Sequence, residues 1–192
     1  MTSPFPVVAG QRITPAVLNH AYTYADTNSH TVTAAAYTDL SSIYTIPASD
    51  AAVGMSYELT AFGNGTTGST AETMQFGLLL GSSIVGVAPL IGSSAFATSE
   101  AFRWEVTIKL IPATIGSTAT WFGSVEGVVT ESPNAILPGA GSQDTVPFAG
   151  GNSSAYTRDS TVPNAFGLQF AWGGTTGSPT ITCTGTRYTR CG

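Results

Sequence analysis

The stretch Phe102 to Ile111, FRWEVTIKLI, decides the fold class. Phe102, Trp104, Val106, Ile108 and Leu110 alternate with Arg103, Glu105, Thr107 and Lys109, so one face is apolar and the other charged or hydroxylated. A period of two marks a strand with one buried and one wet face. The same period runs through Met55, Tyr57 and Leu59, through Met74, Phe76, Leu78 and Leu80, and through Phe166, Leu168, Phe170 and Trp172. Further strands are expected around Leu40 to Ile46, Ile84 to Leu90, Thr118 to Val129, Thr145 to Ala149 and Thr180 to Thr189, about eight to ten in all. In the last of these, Thr180, Thr182, Thr184 and Thr186 are expected to share one solvated or intersubunit face. The pattern predicts an all-β sandwich or barrel around one core.

Composition agrees. Charged residues make up 9% of 192, Gly accounts for 22, and Ser and Thr are abundant, a mix that favours strands and turns over helices. A chain of this length folds as one domain, or one domain plus an arm. The net charge is -5 and Lys109 is the only lysine, which leaves no basic stripe for phosphates or an anionic membrane. Nucleic acid and membrane are therefore excluded as partners. A neutral hydroxylated surface suits either assembly with copies of itself or contact with sugars. Met74 to Ser99 carries no charge, but Gly77, Gly81, Gly86, Pro89 and Gly92 interrupt it, so two buried strands and a turn are expected in place of a membrane helix.

The opening differs from the rest. Pro4 to Asn19 reads PFPVVAGQRITPAVLN: two prolines fix an extended entry, and Thr14-Pro15 has the form of a helix start, with Thr as cap and Pro in the first turn. The helix would be short and its apolar face small. Residues 1–30 are accordingly expected to form an attachment arm, and residues 31–192 the sandwich, with polar Tyr22 to Thr33 as connector. Phe5, Val7, Val8, Ile13, Val17 and Leu18 are the candidate docking residues. They would bury themselves against a partner or, alternatively, against their own domain. The segment MTSPFPVVAGQR lacks the basic start and unbroken apolar core of a secretory signal, so the expectation is a protein kept in the cytoplasm until released.

Candidate chemistry is sparse. Gly63 to Gly68 matches G-x-G-x-x-G, but no helix or suitably spaced acid follows, so no nucleotide is expected. There is no G-x-S-x-G elbow, and His20 and His30 fall in the arm and connector without metal-ligand spacing. Neither cofactor nor metal is expected. Glu58, Glu105, Glu126 and Glu131 would support glycoside hydrolysis only if two approached closely; Glu105, between Arg103 and Lys109, reads as a solvated cluster. Cys183 and Cys191 lie roughly 26 Å apart along one extended strand, which rules out a bridge between them. Trp104 and Trp172 fall on apolar phases and read as core, whereas Trp121 beside Phe122 is ambiguous.

AFGNGTTGS at Ala61 to Ser69 echoes AWGGTTGS at Ala171 to Ser178, each following an alternating strand. If the protein binds sugar, Asn64, Thr66, Thr67, Thr175 and Thr176 in these loops, with Trp121, are the candidate contacts. The opening PFPVVAGQRITPAVLN, the YTIPASDAAVG segment at Tyr44 to Gly54, the AFGNGTTGS loop and Phe148 to Ser154 together resemble structural proteins of actinobacterial tailed phages and prophages, of the minor tail or decoration type. The resemblance implies a jelly-roll-like antiparallel β-sandwich behind an N-terminal arm with one short helix, commonly a homotrimer. It implies a place on the virion among other virion proteins and no enzymatic role. Three readings follow: a structural virion protein docked through its arm, a carbohydrate- or receptor-binding tip meeting host surface glycan, and, third, a glycan-cleaving enzyme.

Overall fold

The computed structural model describes residues 22–70, 72–91, 98–131, 145–152 and 154–191. The expected docking residues Phe5, Val7, Val8, Ile13, Val17 and Leu18, His20 and the short helix after Thr14-Pro15 lie outside the described residues.

Thirteen strands are described: β1 (Tyr22–Asp26), β2 (His30–Val32), β3 (Thr38–Asp39), β4 (Tyr44–Ile46), β5 (Ser56–Thr66), β6 (Met74–Leu80), β7 (Ser83–Val87), β8 (Ala101–Pro112), β9 (Thr120–Glu131), β10 (Thr145–Gly151), β11 (Tyr156–Thr157), β12 (Asn164–Trp172) and β13 (Thr180–Cys191). They form one curled sheet in the order β1-β13-β5-β8-β9-β10-β7-β6-β12-β3, with β11 on β9, β2 on β13 and β4 on β12. All of these pairings are antiparallel.

The eight main strands pair first with last (β5 with β13), second with seventh (β6 with β12), third with sixth (β7 with β10) and fourth with fifth (β8 with β9). A long hairpin rolled upon itself produces this nesting, and it is the feature the fold shares with jelly rolls. The third pair is thin, a single residue match at Gly151 and Val87, and there the sheet folds from one layer to the other. Phe76 of β6 crosses the gap, its ring 5.7 Å from Trp104, 5.2 Å from Phe148 and 5.0 Å from Phe170. Phe102 meets Trp172 edge-on at 6.3 Å. In β8 the apolar set Phe102, Trp104, Val106, Ile108 and Leu110 is buried, as its alternation predicts. Met74 to Ser99 contributes β6, a tight turn at Gly81, whose φ of +66° favours glycine, and β7.

The N-terminal strands close what the main strands leave open. β1 and β2 lie along β13, while β3 and β4 lie along β12, so residues 22–46 run from one margin of the sheet to the other. The Trp172 indole donates to the Val32 carbonyl at 3.3 Å, and the Leu168 amide donates to the buried Ser41 hydroxyl at 2.9 Å.

Three expectations are corrected here. Tyr22 to Thr33, read as a connector, supplies β1 and β2, so the sheet reaches back past the expected boundary at residue 30. An edge strand needs little apolar surface, which is why its polar sequence misleads. Leu40 to Ile46 is not one strand; β3 and β4 flank a break at Leu40 and Ser41, where both amides bond the Leu168 carbonyl at 2.9 and 3.2 Å. The threonine row holds for Thr180, Thr182 and Thr184 but not for Thr186. A bulge between Cys183 and Gly185 shifts the register, leaving Thr184 exposed and turning Thr186 inward.

Candidate functional site

The inward turn at that bulge helps to build the site. Beyond it Thr186 and Tyr188 point from β13 into the seam, beside Leu59 of β5. Across the seam stand Tyr44 of β4, its flanking residues Ile43 and Pro47, and Pro163 just before β12. Together they enclose a cavity of ≈ 550 Å³, within the range of small-molecule pockets. Tyr44 stacks on Tyr188 with ring centroids 3.6 Å apart and planes at 16°, and Phe166 meets Tyr188 edge-on at 6.0 Å. Burial pushes the Tyr188 phenol well above its ordinary pKa, so it stays neutral. This aromatic wall is fixed from behind by the core.

One end of the cavity is polar. Asp26, the last residue of β1, accepts from the Ser42 hydroxyl and, at 2.8 Å, from the Asn28 amide. First the Ser42 bond and then the Asn28 bond hold the Asp26 carboxyl below the usual carboxylate range, so it is ionised at neutral pH. His30 Nε2 lies 3.1 Å from Ser42 Oγ. Ser42 has one hydroxyl hydrogen, which it gives to Asp26, so the imidazole is the donor in that contact. A serine nucleophile needs the opposite polarity: its proton goes to the histidine, and the carboxylate stands behind the ring. Asp26, Ser42 and His30 therefore form a polar anchor and not a triad.

Two of the glutamates share one lysine. Glu58 and Glu126 share the outer face with Lys109, whose Nζ lies 3.7 Å from one and 3.1 Å from the other. Glu126, then Glu58, raises the Lys109 pKa. Glu105 is exposed on the same face, and Glu131 stands opposite Phe102 in the β8–β9 ladder.

The two Gly-Thr loops do meet. Thr70 Oγ1 donates to the Thr176 carbonyl at 2.9 Å, and the Ser69 amide donates to Gly177 at 3.3 Å. Asn64, Thr66, Thr175 and Thr176 are exposed, whereas Thr67 is buried and its Oγ1 accepts from the Glu100 amide at 2.8 Å. Trp121 is fully buried, with its indole donating to the Arg158 carbonyl at 2.9 Å, so it offers no face for a sugar. The loops sit at the Thr180 end of β13 and the cavity near Tyr188, eight residues and about 26 Å further along the strand. The cavity residues Asp26, Ser42, Tyr44, Thr186 and Tyr188 were missed as a group because they come from distant points of the chain. The local sign was Gly185 inside a strand pattern, a common mark of a bulge.

No known protein family matches the chain, and no curated protein matches it. Among solved structures, the CBM2 module of the evolved Dit of Lactobacillus casei BL23 phage J-1 is similar at 15% identity, over 77% of this chain and 67% of that chain, with a TM-score of 0.27. So loose a superposition carries no argument about function.

Proposed function

We propose that the chain is a non-enzymatic structural protein of a tailed-phage particle, mounted through the part of the expected 1–30 arm that precedes β1, as a homotrimer, and that its sandwich binds surface glycan in the seam cavity. The observation that carries the glycan reading is the cavity itself: an aromatic wall at one side, and a carboxylate with hydroxyls at the other. A pyranose ring presents the matching pair of surfaces, an apolar face of C–H bonds and a rim of hydroxyls. The virion reading rests on the sequence resemblance. The two readings touch at one place, because Tyr44 to Gly54, a segment that carries the resemblance, also supplies Tyr44, Pro47 and Ala48 to the cavity wall.

The absence of enzymatic activity is part of the proposal and is supported by Lys109 bridging Glu58 and Glu126 and by the polarity of the Ser42 contacts. The test is binding of the full-length protein to immobilised bacterial surface glycans, alongside Tyr44→Ala. Wild type should bind, and the variant about tenfold more weakly, the loss of roughly 1.4 kcal/mol. Binding to no glycan would remove that part of the proposal. Antibody labelling that finds the protein nowhere on phage particles would remove the other.

A further inference from the structure

Charge at the cavity narrows the ligand class. Asp26 is the one charged side chain among the described residues that line it. The cations of the described residues are engaged or directed elsewhere: Lys109 bridges Glu58 and Glu126, Arg190 pairs with Asp50 at 3.0 Å, Arg158 donates to Asn164 at 2.8 Å, and Arg103 and Arg187 are exposed on the outer face of their strands. An anionic sugar, whether a uronate or a phosphorylated polyol, would meet the Asp26 carboxylate with no counter-charge supplied by these residues. A neutral sugar would stack but would offer that carboxylate only hydroxyls.

Asp26 Oδ1 accepts from the Asn28 amide and Oδ2 from the Ser42 hydroxyl, and each carboxylate oxygen can accept more than one hydrogen bond. The two bonds fix the carboxylate beside the aromatic wall and keep it ionised. A hydrogen bond between an ammonium and a carboxylate is about twice as strong as a neutral one, and a fixed acceptor loses little freedom on forming it. Resting on the glycan reading above, we infer that the seam cavity selects an amino sugar with a free ammonium group, its ring against Tyr44 and its ammonium on Asp26. The cavity of ≈ 550 Å³ has room for one or two such rings.

His30 is the basic group beside the site: it contacts Ser42, and it also acts on the Asp26 carboxylate directly through its electrostatics. The test therefore uses full-length wild type, Asp26→Asn and His30→Gln, the last retaining a donor toward Ser42 without the imidazole. Each is titrated calorimetrically, below the pKa of the sugar amine, with a glucosamine disaccharide, its N-acetylated form and a uronic acid disaccharide. Wild type and His30→Gln should bind the free amine about tenfold more tightly than the acetylated form and leave the uronate unbound. Asp26→Asn should bind both amino-sugar forms alike. A shift of the Asp26 carboxyl carbon resonance in wild type, on adding the amine and not the acetylated sugar, gives the same answer without any variant.

Equal or tighter binding of the acetylated sugar by wild type, or a preference that survives Asp26→Asn, overturns this inference and leaves glycan binding intact. Failure of all three sugars also overturns it, and the broader glycan panel then decides the parent reading separately.

Discussion

The broad layer of β5, β8, β9 and β13 and the seam of β1 to β4 solve the same problem, satisfying backbone groups, in opposite ways. The broad layer does it with length: strands of 11 and 12 residues pair over nearly their whole extent and bury alternate side chains. The seam uses strands of 5, 3, 2 and 3 residues, and where its ladder breaks, side-chain oxygens replace carbonyls. Long ladders hold a surface rigid, while short strands at a margin leave polar side chains free to be gathered. The candidate ligand groups Asp26, Ser42 and Tyr44 accordingly come from the seam, and the broad layer contributes the fixed backing of Leu59 and Tyr188.

The contrast breaks most readily in the core. Trp104 is 3% exposed, packs across the layers against Phe76 at 5.7 Å and donates its indole hydrogen to the Asn64 carbonyl at 3.4 Å. Trp104→Ala should cost about 3–5 kcal/mol in urea unfolding of the full chain. A cost below about 1 kcal/mol would show that the layers do not pack tightly there, since a cavity of that size forfeits far more.

Ser41→Ala should be the next largest. Ser41 is fully buried, and its oxygen is the acceptor for the Leu168 amide at the break between β3 and β4. Removing it strands a buried N–H, at a cost of about 1–3 kcal/mol. Hydrogen exchange of the Leu168 amide should accelerate by more than that of Val106 in β8. Equal acceleration at the two sites would mean that seam and broad layer unfold as one unit, and the proposed division would go.

The same contrast governs what could be read from the chain. β5, β6, β8 and β12 were legible because a buried face repeated over several turns of the pleat leaves a period of two in the residues themselves. β9 was legible in extent, but Trp121 was not, since Gly123 and Gly127 occupy the same phase as the buried Trp121, Val125 and Val129 and hide the alternation. β1 and β2 left little trace because an edge strand lends its backbone more than its side chains; the alternation of Tyr22 and Tyr24 was the available hint. The cavity left only Gly185 as a sign of its bulge, being assembled from β1, β4, β5, β13 and the loops beside them. His30 reads as a connector residue in sequence and becomes part of a polar cluster only when β2 lies along β13 and brings it to Ser42.

The smallest effect expected is the most specific to the seam. The Asp26 carboxyl is held below its ordinary value of 3.8 by the Ser42 hydroxyl first and the Asn28 amide second. A carboxylate whose folded pKa is depressed adds stability that is fully present above the unfolded value, and loses it as pH falls through the folded pKa. Ser42→Ala removes the larger cause, so the Asp26 titration midpoint, followed by its carboxyl carbon resonance, should move up toward 3.8. The stability difference between wild type and variant should be constant from neutral pH down to about pH 5 and shrink below pH 4, where both forms protonate. The backbone amide resonances of Glu58, Lys109 and Glu126, on the broad layer, should stay in place. An unmoved Asp26 midpoint would mean that Ser42 does not bond it in solution, and the polar end of the cavity would lose the group that fixes it. Movement of those broad-layer amide resonances would mean instead that the substitution is felt across the sheet, against the independence that the short seam strands imply.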